Sequence, residues 1–165
     1  MLASDGVRSE TRTMRYFEDI AVGDIARFGS YPVDRDAVID FARHYDPQPF
    51  HLSDEAAADT HFGRLAASGW HSCAMTMAML VEHWAANPIA SLGAAGIDEL
   101  RWRRPVHPGD TLSCETEVLS VRPSRSRPEM GSVESKITVR NQADQVVLTF
   151  ISQALIATRA GKDAG

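Results

Sequence analysis

Cysteine is scarce: only Cys73 and Cys114 occur among 165 residues. They stand far apart and in no metal-ligand spacing, which excludes a disulfide scaffold and a cysteine-based zinc centre. Reduced thiols in a cytoplasmic protein are the expectation. No apolar stretch approaches the length of a membrane span. The opening "MLASDGVRSETRT" lacks the apolar core of a signal peptide. It is polar and expected to fray, with Met14 opening the folded part. A formal net charge of −5 argues against nucleic acid as a partner and leaves room for a local basic site for a phosphorylated ligand. Internal repeats and low-complexity linkers are missing too. One domain is therefore expected over residues 14–158, with flexible tails at 1–13 and 159–165. The six histidines form no HExxH or paired spacing, so no metal is expected. A Ser-His-Asp set could be drawn from Ser72, His71 and Asp46, but no GxSxG elbow accompanies it.

What is present is a globular pattern. Hydrophobic residues make up 44% of the chain, enough for a core. "DIARFGSYPV" (24–33) predicts a short strand. In "DRDAVIDFARHY" Asp34 caps a helix, Asp36 suits its first turn, and Val38, Phe41, Ala42 and Tyr45 share a face. Ser53 caps a small helix that carries Asp54 and Glu55 in its first turn. From Gly69 to about Ala86 nothing breaks a helix, and Asn87-Pro88 stops it. Cys73, Ala74, Met77, Leu80, Val81 and Trp84 fit one stripe, and Met75 and Ala78 widen it. A helix that apolar is expected to be mostly buried.

The remainder alternates as strands. "IDELRWRRPV" sets Leu100 and Trp102 against Arg101 and Arg103. "HPGD" turns the chain. "TLSCETEVLSV", "VESKITVRN" and "VVLTFISQALIA" follow, the last apolar on both faces. Short turns between strands imply antiparallel pairing. One long apolar helix followed by four strands predicts an α+β layout, a curved sheet wrapped around that helix.

Between the first two helices lies "HYDPQPFHLSDEAA" (44–57). Pro47 and Pro49 stiffen the chain between Asp46 and His51. A rigid loop bearing an acid and an imidazole is a place for function. Met75, Met77 and Met79 are read as core filler rather than a cofactor site.

These residues together resemble a known family. "YDPQPFH" resembles the acid–proline–histidine loop of the MaoC-like (R)-specific enoyl-CoA hydratases, whose usual form is Gly-Asp-x-Asn-Pro-(apolar)-His. "ASGWHSCAMTM" is similar to their His-Gly-(apolar) start of the central helix, and "RPVHPGDTL" to their P-V-x-P-G-D-T-L turn. The resemblance spans roughly Tyr16 to Ala157 and implies the hot-dog fold. Asp46, Pro49 and His51 are in register with the family. Tyr45 stands where the family has Gly, and Gln48 where it has Asn.

Adding water to an α,β-unsaturated thioester requires a held water, a proton for Cα and stabilisation of the thioester oxygen. A carboxylate and an imidazole gripping one water manage the protons. A backbone N–H at a helix N-terminus stabilises the oxyanion. Asp46, His51 and Gly69 take these three roles by the resemblance, with no cofactor beyond the coenzyme A thioester substrate itself. Phe50, Ser68 and Trp70 are expected to shape the substrate site. Arg122, Arg125 and Arg127, with Arg103 and Arg104 as further candidates, are expected to meet the phosphates of coenzyme A. An acyl carrier protein is the other possible carrier. A hot-dog sheet has an open edge and usually pairs with a second copy, so a homodimer is expected. Two alternatives stand beside hydration. One is a hot-dog thioesterase, for which the central helix offers only Glu82, far from Gly69. The other is a non-catalytic acyl-thioester-binding subunit.

Overall fold

Short capping side chains set where the helices begin. The computed structural model describes residues 13–162, and readings on residues 1–12 and 163–165 lie outside it. Asp34 accepts from the Ala37 amide and opens α1 (Arg35–Tyr45). Ser53 accepts from the Ala56 amide and opens α2 (Asp54–Ala58). Ser68 accepts from the Trp70 amide at the head of α3 (Gly69–Ala86). Such a cap satisfies an amide that has no partner within the helix and contributes about 1 kcal/mol. Tyr45, expected on the buried face of α1, is 74% exposed instead.

The buried stripe of α3 differs from the expected one. His71, Ser72, Met75, Thr76, Met79 and Leu80 face inward, while Met77 and Val81 are exposed. A helix apolar on most sides fits several phases, and apolar character alone does not choose among them. Hydrogen bonding makes the polar inner positions tolerable. Ser72 Oγ donates to the Ser68 carbonyl and Thr76 Oγ1 to the Ser72 carbonyl, so both hydroxyls enter the core already paired. His71 stacks flat on Phe41, 4.5 Å between ring centroids.

Five antiparallel strands follow the order β1-β3-β4-β5-β2: β1 (Ile25–Pro32), β2 (Ser91–Trp102), β3 (Thr111–Pro123), β4 (Met130–Arg140) and β5 (Val146–Ala157). The β4–β5 hairpin turns at Asn141–Gln145, where Asp144 takes a φ of 57°. α3 lies against β1 and β3. Val38, Leu65, Met75, Met79, Leu112, Val139 and Leu148 make the centre of the core. Gly29 permits a close approach of β1 to α3. Its φ is +85°, and a Cβ there would meet the Met79 sulfur at 2.6 Å.

The second strand departs most from expectation. It starts at Ser91, not near Ile97, and ends at Trp102. Three irregularities in its pairing with β5, and a φ of 52° at Glu99, break the two-residue alternation. It is an edge strand exposed along nearly its whole length, with Leu92, Ile97 and Trp102 open to solvent. Beyond residue 158 the chain continues as a one-turn helix, α4 (Arg159–Lys162). Arg159 is tied to Asp19 by two 2.6 Å hydrogen bonds, so this segment is docked rather than a loose tail. Among the described residues, no helix is long and apolar enough to cross a membrane.

Candidate active site

The end of α1 carries the acid. Asp46 is its C-cap, and its own N–H reaches back to the Ala42 carbonyl. Two tight turns follow: Gln48 N–H donates to the Asp46 carbonyl and His51 N–H to the Gln48 carbonyl. Pro49 opens the single 3₁₀ turn Pro49–His51. The loop is thus a short series of hydrogen-bonded turns stiffened by proline, and it returns His51 to face Asp46. His51 Nε2 lies 3.5 Å from Asp46 Oδ2.

His51 is buried, and its Nδ1 sits 2.7 Å from the Ala66 carbonyl. A carbonyl only accepts, so Nδ1–H donates to it, and Nε2 is the ring nitrogen turned toward the carboxylate. The segment holding that carbonyl is itself fastened. Ala67 N–H donates to the Val106 carbonyl and His107 Nδ1 to the Leu65 carbonyl. Asp110 of the "HPGD" turn accepts from the His107 amide. That turn therefore braces the segment that holds His51.

Asp46 is held from both sides. Ser68 Oγ donates to Oδ2 at 2.6 Å, and Gln48 Nε2 donates to Oδ1 at 2.8 Å. Burial acts to raise the carboxyl's pKa. The Ser68 and Gln48 hydrogen bonds and the nearby His51 outweigh it, and the pKa stands below the usual carboxylate value. Gln48 thus supplies an orienting bond to the acid. Neither the Gln48 contact nor the Ala66 carbonyl was legible as part of the site from sequence. Ser68 was expected against substrate. It is fully buried and acts on Asp46 and the helix terminus.

Asp46, His51 and Gly69 line one cleft of about 490 Å³. Gly69 is the first residue of α3, and its N–H has no acceptor among the described residues. The glycine is required by packing as well: a Cβ would fall 2.5 Å from the Trp102 indole. Trp102 stands edge-on to Trp70, and both line the cleft with Arg103 and Arg104. His61 and Phe62 complete an aromatic wall that the sequence did not single out. Phe50, expected to touch substrate, packs edge-on behind His51 instead, and Phe62 takes the lining position.

The structure does not bring Arg122, Arg125 and Arg127 to this cleft. They belong to the β3–β4 hairpin, at the end of the sheet where Met130 pairs with Ala157. Trp102, beside the cleft, pairs with Leu148. The intervening length of β5 is about 30 Å at the usual strand rise. Arg122 and Arg127 are moreover engaged by Glu134 and Glu129.

A family model, the MaoC like domain, matches residues 20–141. The chain belongs to the MaoC-like dehydratase family. This MaoC-like chain is 30% identical over 133 residues to 3-hydroxybutyryl-CoA dehydratase of Methylorubrum extorquens, covering 78% of this chain and 81% of that protein. A MaoC-like dehydratase from Rhodospirillum rubrum superimposes with a TM-score of 0.81 at 42% identity, over 88% of this chain and 98% of that one. The unliganded (R)-hydratase PhaJ1 of Pseudomonas aeruginosa does so at 0.63 and 27% identity, over 87% and 85%. The MaoC-like architecture is the hot-dog fold. Membership places the chain among dehydratases, the hydro-lyase class.

Proposed function

We propose that this MaoC-like chain adds water to a 2-enoyl-CoA thioester with (R) stereochemistry, or removes it from the corresponding 3-hydroxyacyl-CoA. The observation that carries the reading is the facing pair: the Asp46 carboxylate and His51 Nε2, 3.5 Å apart. Both accept hydrogen bonds, and a water molecule has two O–H groups to give. A water donating to both turns its own lone pairs toward the substrate. As its oxygen bonds to Cβ, one of its protons passes to the pair, which delivers a proton to Cα. The proton count closes with water, substrate and these side chains. Proton transfer by a positioned side chain contributes about 10²–10⁴ in rate.

Negative charge builds meanwhile on the thioester oxygen. The unpaired Gly69 N–H, at the positive end of α3, stabilises it. Removing one such donor typically costs about 10²–10³ in kcat. Dehydration of 3-hydroxybutyryl-CoA is the activity in the name of the Methylorubrum relative, and the Pseudomonas neighbour is named an (R)-hydratase. Both names support the reading.

The active form is a homodimer. Its contact is the open edge of β2, where Leu92, Ile97 and Trp102 are exposed, with Met77 and Val81 of α3 adding apolar surface. An exposed edge with large apolar side chains is otherwise a route to aggregation, and pairing with a second copy removes it.

The test uses crotonyl-CoA, following loss of enoyl-thioester absorbance alongside free-thiol release. Absorbance loss without thiol is expected, with the (R)-3-hydroxy product. Thiol release would replace the hydratase with a thioesterase. Binding without either change would make the chain a thioester-binding subunit.

A further inference from the structure

A second cleft of about 290 Å³ shares Arg104 and Pro105 with the catalytic one. Its walls are polar: Arg64, His107, and the carboxamides Asn141, Gln142 and Gln145 of the β4–β5 turn. One carboxylate lies in it, and that group is already spent. Asp110 is buried and accepts from the His107 amide at 2.8 Å and from Gln142 Nε2 at 2.9 Å. The acid whose charge Arg64 feels, Asp54, is likewise engaged, by Arg35 at 2.6 Å and the Leu65 amide at 2.8 Å. Among the described residues, neither Arg64 nor Arg104 has a carboxylate within ion-pair distance. Two arginines without a carboxylate partner therefore line one concave polar site, in a chain of net charge −5.

Resting on the hydratase reading, we infer that this cleft receives the phosphorylated end of the carrier, and that the carrier is free coenzyme A. The guanidinium fork matches phosphate oxygens in pairs and binds them more strongly than a neutral donor does. Arg104 belongs to both clefts, so an arm leaving the catalytic site over Pro105 arrives where the charge is. Carboxamides beside the arginines both donate and accept, as a ribose and a purine require. Concavity decides between carriers. A small ligand terminus is held in a cleft with a few convergent polar groups. A protein carrier would need a broad basic face, and here the two arginines line a cleft. This site replaces the β3–β4 hairpin arginines, which stand at the wrong end of the sheet and are largely paired.

The experiment compares hydration of crotonyl-CoA with that of crotonyl-pantetheine, which lacks the phosphates, in the wild type and in Arg64→Ala and Arg104→Ala. It also measures binding of free coenzyme A and dephospho-coenzyme A by calorimetry. Wild type should prefer the coenzyme A thioester by about tenfold to a hundredfold in kcat/KM, the usual strength of a hydrogen bond to a charged group. Each substitution should shrink that ratio, chiefly through KM, and should weaken coenzyme A binding. Equal kcat/KM for both thioesters, unmoved by either substitution, would overturn the assignment. So would a crotonyl-carrier-protein turned over more efficiently than crotonyl-CoA. If no thioester is hydrated, the hydratase reading fails alone, and calorimetry still decides. Coenzyme A binding weakened in Arg64→Ala supports the cleft, and unchanged binding overturns it.

Discussion

Replacing Ser68 by alanine separates a structural cap from an electrostatic partner. Ser68 is fully buried, and its hydroxyl does two things. It donates to Asp46 Oδ2 at 2.6 Å and accepts from the Trp70 amide at 3.3 Å. The first bond is short and ends on a charge, so its loss costs about 1.5–3 kcal/mol. The second is long, and its loss costs no more than about 1 kcal/mol as an ordinary cap. Burial already pushes Asp46 toward its protonated form, and Ser68 is the strongest opposing contact. Without it the Asp46 pKa rises. Because that pKa is depressed in the folded chain, the stability it contributes is complete above the unfolded-state value. It is lost as pH falls through the folded value. In Ser68→Ala that loss begins at higher pH, and the acid limb of kcat/KM for crotonyl-CoA moves to higher pH with it. The assay is the pH–rate profile of both proteins, with thermal unfolding at each pH. A lowered melting temperature with an unmoved acid limb would refute the reasoning and leave Ser68 as a cap only.

Two other perturbations test neighbouring parts of the account. In Gly69→Ala the new Cβ meets the Trp102 ring at 2.5–2.9 Å, so the indole must shift. A loss of about 1–3 kcal/mol is expected, with altered tryptophan fluorescence. Adding Trp102→Ala should restore much of the stability, and a single variant that unfolds and fluoresces like wild type would show the contact to be unimportant. Ile97→Glu places a charge on the open edge of β2. Light scattering should show a dimer for wild type and a smaller species for the variant, whereas a monomeric wild type would sink the dimer proposal.

Local chemistry was legible in the sequence wherever it acts over a few residues. Asp34, Ser53 and the Asn87-Pro88 stop fixed helix ends because capping and proline geometry are local. The Asp46–His51 spacing stood out because prolines stiffen so short a loop. What the sequence hid is long-range or degenerate. The phase of α3 was ambiguous because most of its circumference is apolar, and the buried Ser72 and Thr76 are paired within the helix itself. The first half of β2, "SLGAAG", carries too little alternation to read as a strand, and its pairing with β5 decides it. Arg122, Arg125 and Arg127 looked like a phosphate site because sequence clustering says nothing about which end of a sheet a hairpin occupies. Arg64 and Arg104 lie far apart in sequence and meet only through the fold. The aromatic wall of His61, Phe62 and Trp102 is assembled the same way.

The central claim is that one water is held between Asp46 and His51 and added to the substrate. Asp46→Asn keeps the shape of the side chain and removes its charge. Its hydration rate with crotonyl-CoA, measured on protein whose circular dichroism matches wild type, tests the claim most directly. A fall of about 10²–10⁴ in kcat is predicted, and a wild-type rate in the folded variant would contradict it.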